Sequence, residues 1–579
     1  MDLSRVVADL AVLCLFMVSM AVILIGWGRL LFRLVDVDAP VVTDMSSAWL
    51  GFVVVLSVVE VVHFFVQIDW MVTSAVAVFG SMSFLVSLRK SDTEACIRSF
   101  AFLFSNRIYV LSAIVFSAIA ICRAMDLPGN YDSGLYHFGS IKWLNEAPMI
   151  PGLANVHMRF GFNQSYFGFL ALSNLAPYWN RGYAAGGLFL LLLTVMTIVQ
   201  VGLTQSRHWR LAFFSCLFIY VAAVAGVIAN PTPDTAIDLL EICIFIYLAR
   251  LVHSSDKQKS TLDAMVILIL CVAASMVKLS SVAFVFCCCA IVVVLSLKHG
   301  YLARRVSVRI IMVMVVMISL HVLRGLLLSG VPLFPNPLFA QFSMPWAVSF
   351  GVPQYESLLI YSWARTPSVA SPQDVVLGWD WFLPWLHRLS VSTRITFLFA
   401  GFSVLLNVWL SWRKKEKRTT ASACWLYFVI FSALTFWFFT APDPRFLGPI
   451  LFLQIAFGMW QFLESYSLIR GNSIFVSVLN ESRLAVVVFV ISGAIVLKLS
   501  AGGLSIYPRW RELPTVKAIK KITDYGLSVN APEAGESCWD SDLPCTPYFN
   551  GNLHQVQVTL PFFGTPIQNR YYFSVIPKQ

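Results

Sequence analysis

The stretch SSVAFVFCCCAIVVVLSLK, residues 280–298, carries a single charged residue, Lys298, at its end. A helix rises 1.5 Å per residue, so about 20 apolar residues cross a hydrocarbon core about 30 Å thick. Similar runs recur along the 579-residue chain, which is 58% hydrophobic and 12% charged, with a mean hydropathy of +0.76. The sequence therefore predicts an all-α polytopic membrane protein.

Fourteen apolar runs are long enough to be transmembrane helices. Very tight turns near residues 68–69 and 279 leave a range of 12–14 helices. The predicted spans are 9–32, 48–67, 70–88, 106–124, 182–203, 210–229, 235–252, 263–278, 280–298, 307–329, 393–412, 421–441, 446–464 and 483–500.

Lysine and arginine collect in short loops such as Arg89–Lys90, Arg304–Arg305 and Arg413–Arg418. These loops fall on one side of the fourteen-span arrangement, and positive loops mark the cytoplasm. The loops 125–181 and 330–392 and the tail 501–579 are therefore expected outside. The net charge of +11 is explained by basic loops beside anionic lipid, so no nucleic-acid partner is expected.

The external regions differ in pattern. In the first loop, an amphipathic stretch His137–Leu144 and a helix-like run Tyr166–Leu175 predict interfacial helices lying on the membrane. In the tail, short alternating runs such as Val556–Leu560 predict a small extracytoplasmic α/β or β-rich domain. Cys538 and Cys545 lie in this tail, where an oxidising compartment would allow a disulfide.

The first loop opens with the densest polar segment of the chain, NYDSGLYH at residues 130–137, and continues to RFGFNQ at 159–164. Asp132 follows a predicted span directly. A carboxylate there could take the proton of an acceptor hydroxyl, as a general base does in group transfer. The alternative is a helix N-cap, because Asp before Ser-Gly-Leu is a good capping residue.

Two further acidic turns face the same side: Asp234 in NPTPDT, residues 230–235, and Asp443 in APDPRF, residues 441–446, which also contains Arg445. Asp234 could be an N-cap, and Asp443 with Arg445 a turn ion pair. Lys278 and Arg324 add cations that could bind a phosphate or diphosphate. Lys278 could instead mark the seam between two spans.

A carboxylate just after a span, a long external loop, six closely spaced spans and a second long external loop resemble the GT-C superfamily of membrane glycosyltransferases. The segments Tyr131–His137, Pro151–Gln164 and Ser329–Pro335 with Trp346 also resemble a poorly characterised family of bacterial multipass proteins grouped with these enzymes. The chain departs from the superfamily in having three spans before the module and a lone Asp instead of an acidic pair.

The resemblance implies a division of the chain into five parts. These are additional transmembrane helices 1–105, a seven-helix module 106–329 with first loop 125–181, a second loop 330–392, C-terminal helices 393–500 and an extracytoplasmic domain 501–579.

The resemblance further implies an inverting transfer of a sugar from a polyprenyl-phosphate-linked donor to a glycan, lipid or protein acceptor, at the extracytoplasmic face of a bacterial inner membrane. Asp132 would be the base, and Lys278, Arg324 and Arg445 would bind the lipid phosphate. The residues expected to contact substrate are Tyr136, His137, His157, Arg159, Asn163, Gln164, Asp234, Trp346 and Asp443.

The sequence also bears on cofactors and on alternative functions. No zinc motif is present, since His137 and His157 are twenty residues apart without a cysteine partner, and a divalent cation remains possible. A flippase or transporter of lipid-linked sugars would instead use the charges within spans, namely Glu60, Asp238 and Lys278. A polysaccharide polymerase or ligase is a further alternative.

Overall fold

The fold is taken from a computed structural model. It describes residues 3–41, 44–94, 107–254, 256–339, 341–368, 371–413, 418–470, 510–559 and 566–576. The predicted span 483–500 and the first part of the tail, 501–509, lie outside these residues.

Among the described residues, ten helical segments are long and apolar enough to cross a membrane. The prediction of a multi-pass helical membrane protein is therefore confirmed. The helices are α1 Leu3–Val35, α2 Met45–His63, α3 Trp70–Ser87, α7 Gly182–Leu203, α8 Arg207–Gly226, α10 Lys257–Val277, α11 Val282–His299, α12 Arg304–Ser329, α16 Val391–Arg413 and α17 Arg418–Thr440.

Three other predicted spans are also helices: α4 Arg107–Ala124, α9 Pro233–His253 and α19 Ile450–Arg470. They are not among the ten. The helix α9 is too charged to be counted among them, because Asp234, Asp238 and Glu241 lie in its first turns. Asp238 accepts a hydrogen bond from the Tyr220 hydroxyl on α8 at 2.6 Å, which is the kind of interhelical polar contact found inside membrane proteins.

The three N-terminal helices pack closely through glycine. A Cβ on Gly28 would stand 1.8 Å from the Ser47 carbonyl oxygen, and one on Gly26 would stand 1.8 Å from that of Gly80. Small residues let helix backbones approach in this way. Because α2 also contacts α10 and α12, the N-terminal helices belong to the same bundle as the central ones.

The first loop folds into short helical elements: a π-turn Ser133–His137, α5 Phe138–Glu146, 3-10 turns Leu153–Asn155 and Met158–Phe162, and α6 Tyr166–Ser173. All eight residues of α6 are buried. The expectation that this helix lies on the membrane surface is wrong. Its sequence YFGFLALS is apolar on every side, so it packs inside the protein, between α2 and α7.

The remaining elements are short. The second loop carries α13 Val352–Arg365, α14 Pro372–Leu377 and α15 Phe382–Arg388, and α18 Pro444–Leu447 precedes α19. The tail forms two antiparallel pairs, β1 Ala518–Ile522 with β2 Ser528–Pro532, and β3 Leu553–Thr559 with β4 Pro566–Val575. The predicted small β region is confirmed.

The tail packs on the first loop. The Trp539 amide donates to the Gly134 carbonyl at 3.0 Å, and the Phe573 amide donates to the Pro151 carbonyl at 3.0 Å. Cys538 and Cys545 form a disulfide with an S–S distance of 2.03 Å. A Cβ on Gly134 would approach the Trp539 ring to 2.7 Å, so the disulfide-closed segment lies directly against the π-turn.

Candidate functional site

Asp132 is positioned by the turn that follows α4. The Asn130 side chain accepts from the Asp132 amide at 2.9 Å, and the Asn130 amide donates to the Asn230 side chain at 3.0 Å, so the turns before the π-turn and before α9 are joined. The Asp132 side chain makes no capping hydrogen bond. Instead Oδ1 accepts from the Arg159 guanidinium, and Oδ2 lies 3.3 Å from Arg445 Nη1.

Five charged side chains form a series of alternating sign, called here the ion chain: Arg159, Asp132, Arg445, Asp234 and Lys278. Arg445 Nε lies 3.7 Å from Asp234 Oδ2, and Asp234 Oδ1 accepts from the Lys278 ammonium. Its members come from five separate segments that meet at one end of the helix bundle. Three cations and two carboxylates leave one positive charge in excess.

Local sequence places the other members of the ion chain. Asp234 lies in the first turn of α9, after the capping Thr232, where the helix dipole favours a carboxylate. Lys278 stands where α10 ends, so it marks a seam between helices and pairs with Asp234 as well. Asp443 caps α18 by accepting from the Arg445 amide at 2.9 Å, which leaves the Arg445 guanidinium to Asp132 and Asp234.

Arg159 and Arg445 carry full positive charge. Burial alone would lower the pKa of Arg159, but Asp132 more than offsets it and the pKa is raised. For Arg445, burial is likewise outweighed by Asp234 and Asp132, and the pKa is raised.

Behind Asp132 stand three neutral rings. Burial lowers the pKa of His137 to about 4 and that of His157 to about 3, so both imidazoles are uncharged near neutral pH. Burial and the nearby Asp132 raise the pKa of Tyr136, so the phenol keeps its proton. The Tyr136 ring lies 5.4 Å from Arg159 Cζ, and His157 Nδ1 accepts from the Arg159 amide at 3.1 Å.

A second polar group, called here the inner cluster, joins α2, the end of the first loop and α12. It consists of Glu60, Asn163, Ser165, His321 and Arg324. Glu60 Oε1 accepts from Ser165 Oγ at 2.7 Å and lies 3.0 Å from His321 Nδ1. Asn163 donates to the His321 carbonyl at 2.7 Å and accepts from Arg324 at 2.6 Å.

Sequence reasoning missed Ser165 and His321. His321 and Arg324 are three residues apart on α12, a spacing that places both on one helix face and could have indicated the pair. Ser165 had no such signal, because only tertiary packing brings it to Glu60.

A small cavity of about 30 Å³ lies between the ion chain and the inner cluster. Arg159 belongs to the ion chain and lines the cavity, while Asn163 and Arg324 line it from the inner cluster. The predicted substrate residue Gln164 lines it as well. The cavity therefore connects the two polar groups.

Other predicted residues lie apart from the ion chain. Trp346 donates from Nε1 to the Leu326 carbonyl at 3.1 Å, and its ring centre is 6.0 Å from that of Tyr572, so it anchors the second loop to α12 and β4. Arg324 is in the inner cluster, where it donates to Asn163 and not to a member of the ion chain. Within the part of the chain that the structure describes, no three or more His, Cys, Asp or Glu side chains are grouped to hold a metal ion.

A family model described as "Domain of unknown function (DUF8201)" matches residues 10–452, a range that contains the ion chain, the inner cluster and the N-terminal helices. The β strands and the disulfide lie beyond it. No curated protein and no solved structure matches the chain.

Proposed function

The chain belongs to the family described as a domain of unknown function (DUF8201), and from its site we propose a membrane glycosyltransferase that moves a sugar from a polyprenyl-phosphate-linked donor to an acceptor hydroxyl. The reaction would take place on the extracytoplasmic side of a bacterial inner membrane, with inversion at the sugar. The observation that carries the proposal is the ion chain, in which two arginines share the carboxylate of Asp132.

The cations suit the donor's phosphate. Arg445 is 42% exposed at its side chain, and Lys278 stands beyond Asp234 in the same series. A guanidinium binds phosphate oxygens through two parallel hydrogen bonds, which makes Arg445 the better anchor and Lys278 a supporting charge. The excess positive charge of the ion chain would be neutralised by one phosphate.

Donor binding would also prepare the base. Both oxygens of Asp132 face guanidinium groups. A phosphate that draws Arg445 away frees Oδ2, and an acceptor hydroxyl can then donate its hydrogen bond there. The expected order is therefore donor first and acceptor second.

The chemical step is a single displacement. The acceptor oxygen forms a bond to the anomeric carbon as the bond from that carbon to the phosphate oxygen breaks. The acceptor's proton passes to Asp132, and polyprenyl phosphate leaves with the bonding electrons, its charge met by Arg445 and Lys278. Tyr136 and His137 are neutral neighbours suited to sugar hydroxyls.

The test compares Asp132→Asn with Asp126→Asn. Asp126 also follows α4, has the same side-chain exposure of 16%, and pairs with Arg123 and with Arg511 at 3.4 Å, outside the ion chain. The purified full chain in nanodiscs would be given synthetic polyprenyl-phosphate monosaccharides, both neutral and acidic, with a bacterial membrane extract as acceptor.

We expect the wild type and Asp126→Asn to consume a donor, and Asp132→Asn to lose activity by about 100-fold or more. Full activity in a correctly folded Asp132→Asn protein would remove the base from the mechanism. In proteoliposomes, a donor that changes leaflet without being consumed would favour a transporter instead.

A further inference from the structure

A buried acid of the second loop, Glu356, has no partner among the residues that the structure describes. It lies in the second turn of α13 and is only 4% exposed, yet its carboxylate makes no hydrogen bond and no ion pair with them. The next residue, Ser357, is satisfied, because its hydroxyl donates to the Pro335 carbonyl at 2.5 Å. A buried carboxylate without a partner is costly, so Glu356 points to a ligand that donates hydrogen bonds.

Packing holds Glu356 close to the segment that carries Arg159. Val352, the first residue of α13, packs on a small apolar core, and so do Met158 and Phe162, the two ends of the 3-10 turn that contains Arg159. The buried members of this core are Ala154, Val331, Phe334 and Val348. Because α13 and the 3-10 turn share one core, their relative position is fixed.

The charges of Glu356 and Arg159 act on each other without forming an ion pair. Burial raises the pKa of the Glu356 carboxyl, and Arg159 opposes that rise. The Arg159 guanidinium donates to Asp132 instead, and its side chain is 33% exposed. Two carboxylates therefore lie near one guanidinium, which pairs with Asp132 and leaves the hydrogen-bonding capacity of Glu356 for a ligand.

An aromatic ring from the tail lies near both charges. Tyr548 is 49% exposed, and its ring centre is 5.2 Å from that of His157. Burial and Glu536 raise the pKa of Tyr548, while Arg159 lowers it and Glu356 adds to the rise. A half-exposed aromatic ring and a nearby carboxylate suit a sugar, because its C–H face can pack on the ring and its hydroxyls can donate to the carboxylate.

We propose that Glu356 and Tyr548 form a subsite for a neutral sugar ring of the acceptor, with ring hydroxyls donating to the Glu356 carboxylate and the ring packed on Tyr548. This assignment rests on the proposed transferase function, since it identifies the acceptor as a glycan instead of a lipid or a protein. Arg159 repels a second cation, so hydroxyl groups fit this carboxylate better than an ammonium does. Because Arg159 also pairs with Asp132, a sugar bound here lies near the base.

Binding can be measured without any transfer reaction. Saturation-transfer-difference NMR on the full chain in nanodiscs would use the methyl glycosides of glucose, galactose and mannose as probes, with glycerol and glucosamine for comparison. We expect at least one of these neutral hexosides to bind with a Kd about tenfold or more below that of glycerol. Glu356→Gln should raise that Kd by about tenfold, the effect of losing one charge-assisted hydrogen bond.

The stability of the same variant separates binding from a structural role. Glu356→Gln removes the cost of burying a charge without a partner, so this protein should unfold at the same temperature as the wild type or at a higher one. A lower unfolding temperature would mean that the carboxylate stabilises the fold and would overturn the proposal. The matched control is Glu146→Gln, because Glu146 ends α5 and pairs with Lys142 at 3.6 Å. This control should bind the hexoside as the wild type does.

Two substitutions test the aromatic ring. Tyr548→Phe keeps the ring and removes the hydroxyl, so the affinity for the hexoside should stay near that of the wild type. Tyr548→Ala removes the packing surface and should weaken the hexoside by about tenfold. Equal affinity in Tyr548→Ala and the wild type would overturn the assignment of the ring.

Equal affinity for glycerol and all three hexosides would overturn the proposal, and so would an unchanged hexoside affinity in Glu356→Gln. Glucosamine that binds about tenfold more tightly than the neutral hexosides would replace the neutral sugar by an amine. Asp132→Asn should still bind the hexoside. If binding depends on Glu356 but Asp132→Asn transfers normally, the catalytic proposal fails alone. If Asp132→Asn is inactive while Glu356→Gln binds and transfers as the wild type does, the subsite fails alone.

Discussion

The ion chain and the Arg29–Asp92 pair hold buried charge in opposite ways. Arg29 donates from Nη1 and Nη2 to the two oxygens of Asp92 at 2.9 and 2.7 Å, and the two side chains are 1% and 3% exposed. The pair is bidentate and closed to solvent. In the ion chain, Asp132 is shared by two arginines and Arg445 by two acids, and Arg445 is 42% exposed.

The difference separates a structural contact from a binding site. A closed pair is shielded from solvent and from ligands, and removing one member leaves the other charge buried. The ion chain is partly open to solvent and has one excess positive charge. One of its cations can therefore exchange its carboxylate partner for a phosphate at little cost in free energy. Sites with such shared, partly exposed charges are where ligand binding is expected.

The largest effect should follow from breaking the closed pair. Arg29→Gln removes the bidentate partner of the buried Asp92 carboxylate and should destabilise the protein by about 3–5 kcal/mol. Arg445→Gln should change stability by less than about 1 kcal/mol, because a partly exposed ion pair is screened by solvent. Chemical unfolding in one detergent, followed by tryptophan fluorescence, compares the two. Similar losses of stability in both variants would contradict the distinction between the closed pair and the ion chain.

The second effect concerns the C-terminal tail, which packs against the π-turn that follows Asp132. The disulfide Cys538–Cys545 closes a short loop, with a sequence separation of 7. This loop packs against Gly134, where we expect it to stabilise the π-turn. Replacing both cysteines by serine should cost about 2–3 kcal/mol in the tail. Hydrogen exchange should rise in residues 133–137 and stay unchanged in α2. The free Cys14, changed to serine, is the control, and unchanged exchange at 133–137 would show that the π-turn needs no support from the tail.

The third effect tests whether Arg445 in the ion chain binds the donor's phosphate. Arg445→Gln should raise the KM for the lipid-linked donor by about tenfold, which corresponds to the loss of one charge-assisted contact of about 1.4 kcal/mol. Arg445→Lys should lose less. An unchanged donor KM would move the phosphate site elsewhere.

Much of the fold followed from the sequence because bilayer thickness fixes the length of an apolar helix. The approach of Asp132, Asp234 and Arg445 followed from topology, since all three stand in turns at the same end of the bundle. The pairing of the side chains did not follow from topology. Asp132 pairs with Arg159 from its own loop, and Asp234 at the start of α9 pairs with Lys278 at the end of α10. Side-chain pairing and the burial of α6 depend on tertiary packing, which no local pattern encodes.

The smallest effect is a pH dependence that arises beside the ion chain. Burial lowers the pKa of His157 to about 3, below the usual value near 6.5 of the unfolded chain. As pH falls from 7 to 6, the unfolded chain takes up protons that the folded protein refuses, so stability must decrease, by about 0.7 kcal/mol for this histidine. His157→Phe should remove that share of the slope. Unfolding at both pH values in wild type and variant measures it, and an identical slope would mean that the imidazole takes up its proton in the folded protein as readily as in the unfolded chain.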